Sequence, residues 1–405
     1  MNVASAPSSL SAAPAAASLT GGALPAGGGH RLVFANQLRG LAALAVVVSH
    51  LIGVFWGARE VVSWATSTPV QPGDAPGVFQ LVSQPWFNFG PFGVSVFFLI
   101  SGLVIPISLG HHSQGSFLLA RLLRIYPTYL ACFAVNLGAA WLASRHFGQP
   151  FNHGWSSIVA NALLIPDLKA QLIIDLVNWT LCIELKFYVL MALLAPAIRR
   201  GSVSVLFAIG FGLLAANLMV QIPDIQHALR GVPEIARGIR FASPYLVFML
   251  IGVLFNYRLR GLLSLRDMAA GMAGLGLLFV ACWRSSAFAE QFPVVTINYA
   301  YGLALFAGLF ALRRHIRPFR PLDALADISY PLYLIHSLVG YTLLRALMIT
   351  GGMGYAAALA ITLPACLLVA TLLHLGVERW SITAGKRLAR RAPRATVSPA
   401  SATAG

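Results

Sequence analysis

The chain has 405 residues, of which 58% are hydrophobic, and a mean hydropathy of +0.76, which excludes an ordinary soluble domain. Only 10% of residues are charged, and 28 Lys+Arg stand against 12 Asp+Glu, for a net charge of +16. On a soluble protein that excess would point to nucleic acid. Here the basic residues fall between apolar runs, as in a polytopic membrane protein, so the partner implied is a lipid bilayer and no nucleic acid is expected.

Residues 1–30 contain no Lys, Arg, Asp or Glu and are rich in Ala, Ser, Gly and Pro. They lack the basic start of a secretory signal and read as a disordered tail. A transmembrane domain is expected over 31–380, followed by a basic, disordered tail over 381–405. Apolar runs long enough to cross a bilayer lie near 38–58, 92–110, 126–144, 179–198, 203–222, 241–257, 268–284, 296–312, 328–349 and 355–376. They predict an all-α bundle of about ten transmembrane helices. A shorter run at 156–166, ending in Pro166, reads as an interfacial or re-entrant piece.

With the N-terminus inside, 19 Lys and Arg fall on inner segments and 8 on outer ones (Arg345 among the latter), with Lys186 within a span. This excess predicts that both termini are cytoplasmic. The four cysteines, Cys132, Cys182, Cys282 and Cys366, sit inside apolar runs without metal-type spacing. They read as small buried hydrophobes, with no disulfide framework and no metal.

The first run holds two polar residues that are expensive in hydrocarbon, Arg39 and His50. Their eleven-residue separation corresponds to about 16 Å along a helix. One would lie near a membrane surface and the other inside the bilayer. The 179–198 run would carry Glu184 inward to a depth comparable with His50. An imidazole and a carboxylate so placed are the parts of a general base and its orienting partner. The competing reading is that both are hydrogen-bonded to fix packing. Lys186, two residues from Glu184, faces elsewhere and is expected to snorkel.

Arg121 and Arg124 share one helical side just before the third run and, with Arg39, could grip a phosphate in fork geometry; ordinary anchoring of a helix end is the alternative. Ser101 and Gly102 lie in mid-helix, where small residues usually mean close packing, and Ser101 is also a candidate to line a cavity. Ser329 and His336 are seven apart and predict one face of the ninth helix, His336 near the midplane. His374 gives no comparable signal.

Five segments together resemble the membrane acyltransferase-3 family: Leu38-Arg39-Gly40-Leu41-Ala42-Ala43 leading to His50; Phe97 to Gly102; Arg121-Leu122-Leu123-Arg124-Ile125-Tyr126-Pro127; Trp179-Thr180-Leu181 through Glu184 to Phe187-Tyr188; and Ile328 through Ser329-Tyr330-Pro331 to His336. The resemblance spans about 34–376. It implies an integral-membrane O-acyltransferase of the bacterial cytoplasmic (inner) membrane, moving an acyl group, usually acetyl, from acyl-CoA to a sugar hydroxyl. It implies that Arg39 and His50 are the family's Arg and His pair, that Arg121 and Arg124 help hold CoA, and that Glu184 and His336 lie near the reaction path. Two departures stand out. Leu185 occupies a position where a second acidic residue is common, and Thr180 replaces the usual Ser. A fused extracytoplasmic esterase-like domain, present in some members, is expected to be absent.

The mechanism expected from these residues binds acetyl-CoA at Arg39, Arg121 and Arg124 as a substrate, with no permanently bound cofactor. His50 takes the acceptor proton and Glu184 orients the ring; an acetyl-histidine route would use the same residues. The acceptor is a glycan or glycoside, free or lipid-linked. The runner-up function is a secondary transporter or glycan exporter with His50, Glu184 and His336 as a proton relay. The 59–91 segment, rich in Trp, Pro and Gly, offers aromatic faces for sugar stacking, although interfacial aromatics are common in any membrane protein.

Overall fold

Apolar segments in a bilayer must satisfy their own backbone hydrogen bonds, and this chain does so with helices. A computed structural model describes residues 32–109, 113–169, 171–228 and 233–391, and no strand occurs among them. Among the described residues six helices are long and apolar enough to span a membrane: Val33–Gly57, Phe89–Leu109, Gln114–His146, Glu234–Leu259, Leu265–Ser285 and Tyr355–Gly385. The bent pair Ser329–Ile335 and Leu338–Thr350 makes a seventh. Shorter apolar helices, Val203–Met219 and Thr296–Leu312, occupy two more expected runs, and Trp179–Leu193 occupies the last. The polytopic all-α bundle is as expected. The helix Trp155–Ala162 fills the short run, its Trp155 exposed.

Glycines decide which helices touch. On Phe89–Leu109, a Cβ at Gly102 would overlap the Met249 carbonyl oxygen and the backbone of Gly252 on the central Glu234–Leu259 helix. A Cβ at Gly93 would meet the Ala42 carbonyl oxygen at 2.7 Å. One at Gly40 would meet the Ala326 nitrogen and Leu322 oxygen at 3.0 Å, on the helix Arg320–Asp327. The first span is thereby clamped between two neighbours with almost no side-chain spacing, and its polar residues point into the bundle.

The ninth span is not continuous, so Ser329 and His336 do not share one unbroken helix face. It bends by 52° at His336–Ser337. The break frees polar groups that hydrocarbon cannot satisfy, and side chains from elsewhere take them up. Asn136 Nδ2 donates to the Leu334 carbonyl at 2.8 Å, and Ser337 Oγ donates to the Asp175 carbonyl at 2.6 Å.

Three further placements differ from expectation. Trp179–Leu193 begins inside the bundle rather than at its rim: Trp179 packs on Phe98 and Tyr245, and Asn178 Nδ2 donates to Tyr129 Oη at 2.8 Å. The polar segment before it dips inward because Asn161 and Asn178 satisfy its backbone and one another. Arg345, counted among the outer charges, is fully buried and donates to Thr68 Oγ1, the Pro69 carbonyl and the Arg59 carbonyl. At the C-terminal end, helix Arg379–Arg391 runs past the boundary near 380, with Ser381 and Gly385, four apart, buried on one side. The tail expected at 1–30 and the part of the 381–405 tail beyond 391 lie outside the described residues.

His153 pins the segment carrying Arg59–Thr66, donating from Nε2 to the Ala65 carbonyl at 2.8 Å. Burial holds its imidazole below the usual histidine range, against a smaller opposing pull from that carbonyl. The neutral ring is therefore the folded form. Its contribution is complete above the ordinary value of about 6.5 and is lost as pH falls through the lowered value. In detergent, the melting temperature of the wild type should fall more between pH 7.5 and 5 than that of His153→Gln; equal falls would contradict this.

Candidate active site

The candidate site residues fall mainly into two clusters within the bundle, joined by the first span. The first surrounds Arg39, where four helices bring charges that the sequence scatters. Ser101 Oγ and Tyr188 Oη both donate to Glu184 Oε1, at 3.2 and 2.8 Å. The buried Arg121 guanidinium lies over the Phe117 and Tyr188 rings, at 5.6 and 5.5 Å from their centroids. Arg39 is in electrostatic reach of Arg124, Glu184, Tyr188 and Glu378, and Arg121 of Arg124 and Glu184. Three guanidiniums thus outnumber the two carboxylates within reach, leaving a surplus positive charge in a half-buried site. Such a surplus suits an anion with several oxygens, because forked guanidiniums bind phosphates in bidentate geometry.

The second cluster surrounds His50, about 16 Å further along the same helix. The ring sits where the helix widens into a π-turn over Ser49–Val54, a feature frequent at functional sites. Its Nδ1 lies 2.7 Å from Tyr341 Oη, and the two ring planes are nearly parallel, at 16°. His336 packs edge-on against it with ring centroids 4.9 Å apart. His336 and Tyr341 are fully buried, whereas His50 keeps some accessible surface although it lies deep within the protein. Arg39, Ser101, Arg124 and Glu184 are likewise only half-buried.

The structure brings Arg39, Arg121, Arg124, Glu184 and Ser101 together as one group, and His50 and His336 as another. It does not pair Glu184 with His50. Because Trp179–Leu193 starts deep inside, Glu184 is carried on toward the arginines, and Tyr341 takes the place at His50 Nδ1. Ser329 Oγ donates to the Ala326 carbonyl at 2.6 Å and joins neither cluster. Lys186 pairs with Asp167 at 2.8 Å, away from both.

Three participants were missed in the sequence. Tyr188 is four residues after Glu184, a spacing that places both on one side of a helix. Glu378 pairs with His374 at 2.7 Å and shows the same spacing. Tyr341 gave no signal, because the bend that aims it at His50 comes from tertiary contacts. Among the described residues no group of three or more His, Cys, Asp or Glu is placed to hold a metal.

The acyltransferase-3 family model, described as an acyltransferase domain, matches residues 32–373. Nodulation protein 10 of Rhizobium leguminosarum bv. viciae is 25% identical over 347 residues, covering 78% of this chain and 84% of its own. No solved structure matches the chain.

Proposed function

Given that the chain belongs to the acyltransferase-3 family and is a multi-pass membrane acyltransferase, we propose that it is an O-acyltransferase taking an acyl group, acetyl in the first instance, from cytoplasmic acyl-CoA. The acceptor is a hydroxyl of a glycan or glycoside, free or lipid-linked. The reaction runs in the bacterial inner membrane with both termini inside, the orientation favoured by the excess of basic residues on inner segments.

The observation that carries this reading is the pair of clusters on one helix, a cationic one at Arg39 and an imidazole one at His50. CoA is a polyphosphate at one end and a thioester at the other, joined by a long narrow arm. Its phosphates would take the surplus charge of Arg39, Arg121 and Arg124. The arm would lie along the first span, and the thioester would meet His50 and His336. A buried imidazole serves as base for the acceptor hydroxyl, and the low-polarity surroundings strengthen each hydrogen bond to the developing oxyanion. Glu184, held by Ser101 and Tyr188, keeps the arginines oriented before the donor arrives.

Membranes carrying the protein, given radiolabelled acetyl-CoA, should release free CoA thiol and label a carbohydrate or glycolipid fraction. A transporter would move substrate without thioester cleavage, and that result would overturn the proposal. Arg39→Gln should raise KM for acetyl-CoA roughly ten- to a hundredfold, the worth of about 1.5–3 kcal/mol for a charged hydrogen bond, while kcat changes by no more than a few-fold. An unchanged KM would remove Arg39 from the donor site.

A further inference from the structure

The two imidazoles are not equivalent, and their hydrogen bonds fix which nitrogen of each carries the proton. His336 Nδ1 lies 3.0 Å from the Leu332 carbonyl oxygen. A carbonyl only accepts, so Nδ1 carries the hydrogen and Nε2 is a bare lone pair. That Nε2 is fully buried and has no hydrogen-bond partner. An unpaired buried acceptor costs about 1–3 kcal/mol, and this one lies beside the ring of His50.

His50 is in the opposite state. Tyr341 is fully buried, and its hydroxyl meets His50 Nδ1 with no other hydrogen-bond partner among the described residues. The hydroxyl therefore donates to Nδ1, since the reverse would leave its own hydrogen unsatisfied. His50 must then carry its hydrogen on Nε2. One ring presents an acceptor and the other a donor.

We infer that His336 is the base of the transfer and that His50 is the donor that stabilises the oxyanion. The inference rests on the acyl-transfer reading above. The acceptor O–H gives its proton to His336 Nε2 as its oxygen bonds to the thioester carbon. The carbonyl π pair moves onto oxygen and is held by His50 Nε2–H. Collapse of this intermediate re-forms the carbonyl and breaks the C–S bond. The leaving thiolate takes the proton from His336 Nε2, and ester and CoA thiol depart with both rings in their starting states. Tyr341 acts through His50 as a positioning residue that fixes its tautomer.

The test compares kcat and donor KM for CoA release from acetyl-CoA in membranes carrying each variant. A glutamine can donate but cannot serve as a base. His50→Gln should therefore keep about a tenth of the wild-type kcat and stay well above His50→Ala. His336→Gln should lose on the order of 10²–10³-fold in kcat with donor KM little changed. Tyr341→Phe should lower kcat about tenfold at unchanged KM, which keeps the assignment testable if the His336 variant does not fold. His336→Gln near wild type, His50→Gln as low as His50→Ala, or Tyr341→Phe without effect would each overturn the assignment. If the wild type itself cleaves no acetyl-CoA, it is the acyl-transfer reading that fails.

Discussion

Replacing His50 with alanine is expected to lower acyl transfer about 10³-fold while leaving the bundle folded. The loss follows from removing a ring that keeps some accessible surface and packs edge-on against His336. Mutations that delete an oxyanion donor or a base cost on the order of 10²–10⁴-fold. The fold should survive because His50 makes a single side-chain hydrogen bond, to Tyr341. Removing it leaves the Tyr341 hydroxyl unpaired, a penalty of about 1–3 kcal/mol. Donor KM should move little, since the arginines that would hold the phosphates lie about 16 Å away along the helix. The check is kcat and KM for acetyl-CoA beside a melting curve, with His315→Ala, an exposed position, as the neutral control. A His50→Ala protein that retains wild-type kcat would contradict the assigned centre.

The largest structural effect is expected at Gly102. Phe89–Leu109 and Glu234–Leu259 approach so closely there that a single methyl group would overlap the Met249 carbonyl oxygen. The obstruction is backbone on both sides, Gly252 facing Gly102, so no side chain can swing away. Gly102→Leu must push the helices apart, breaking the contact that carries Ser101 to Glu184 and the central helix to its neighbour. Overpacking costs about 1–3 kcal/mol even where side chains can adjust, and this site lies at or above the upper end. The expected outcome is little or no monodisperse protein in detergent. Gly212→Ala, with open space around its position, should behave as wild type. Normal yield and melting for Gly102→Leu would show that the helices are not held at this distance.

Much of this was legible in the sequence. Ten apolar runs gave ten helical segments because hydrocarbon leaves the backbone no other choice. Arg39, Arg121 and Arg124 could be foreseen as a group because each lies near the same end of its span, which charge bias and helical rise together locate. What could not be read was anything decided by a break in helical regularity. Glu184 was expected beside His50 on the assumption that its helix starts at the membrane rim. Asn161, Asn178 and Tyr129 instead satisfy a polar segment inside the bundle, and the helix starts there. The bend at His336 likewise depends on Asn136 and Ser337 meeting groups far away in the chain, at Leu334 and Asp175. Arg345 looked like an outer charge because nothing local announces that three oxygens from residues 59–69 will enclose it.

The central claim is that a donor held by the guanidiniums at one end of the first span presents its acyl carbon to the paired imidazoles further along it. Cryo-electron microscopy of the detergent-solubilised protein with a non-cleavable thioether analogue of acetyl-CoA tests this most directly. The account predicts phosphate oxygens within hydrogen-bond distance of Arg39, Arg121 and Arg124, and the acyl end against His50 and His336. An analogue bound away from these arginines, or an acyl end that leaves both rings untouched, would contradict it.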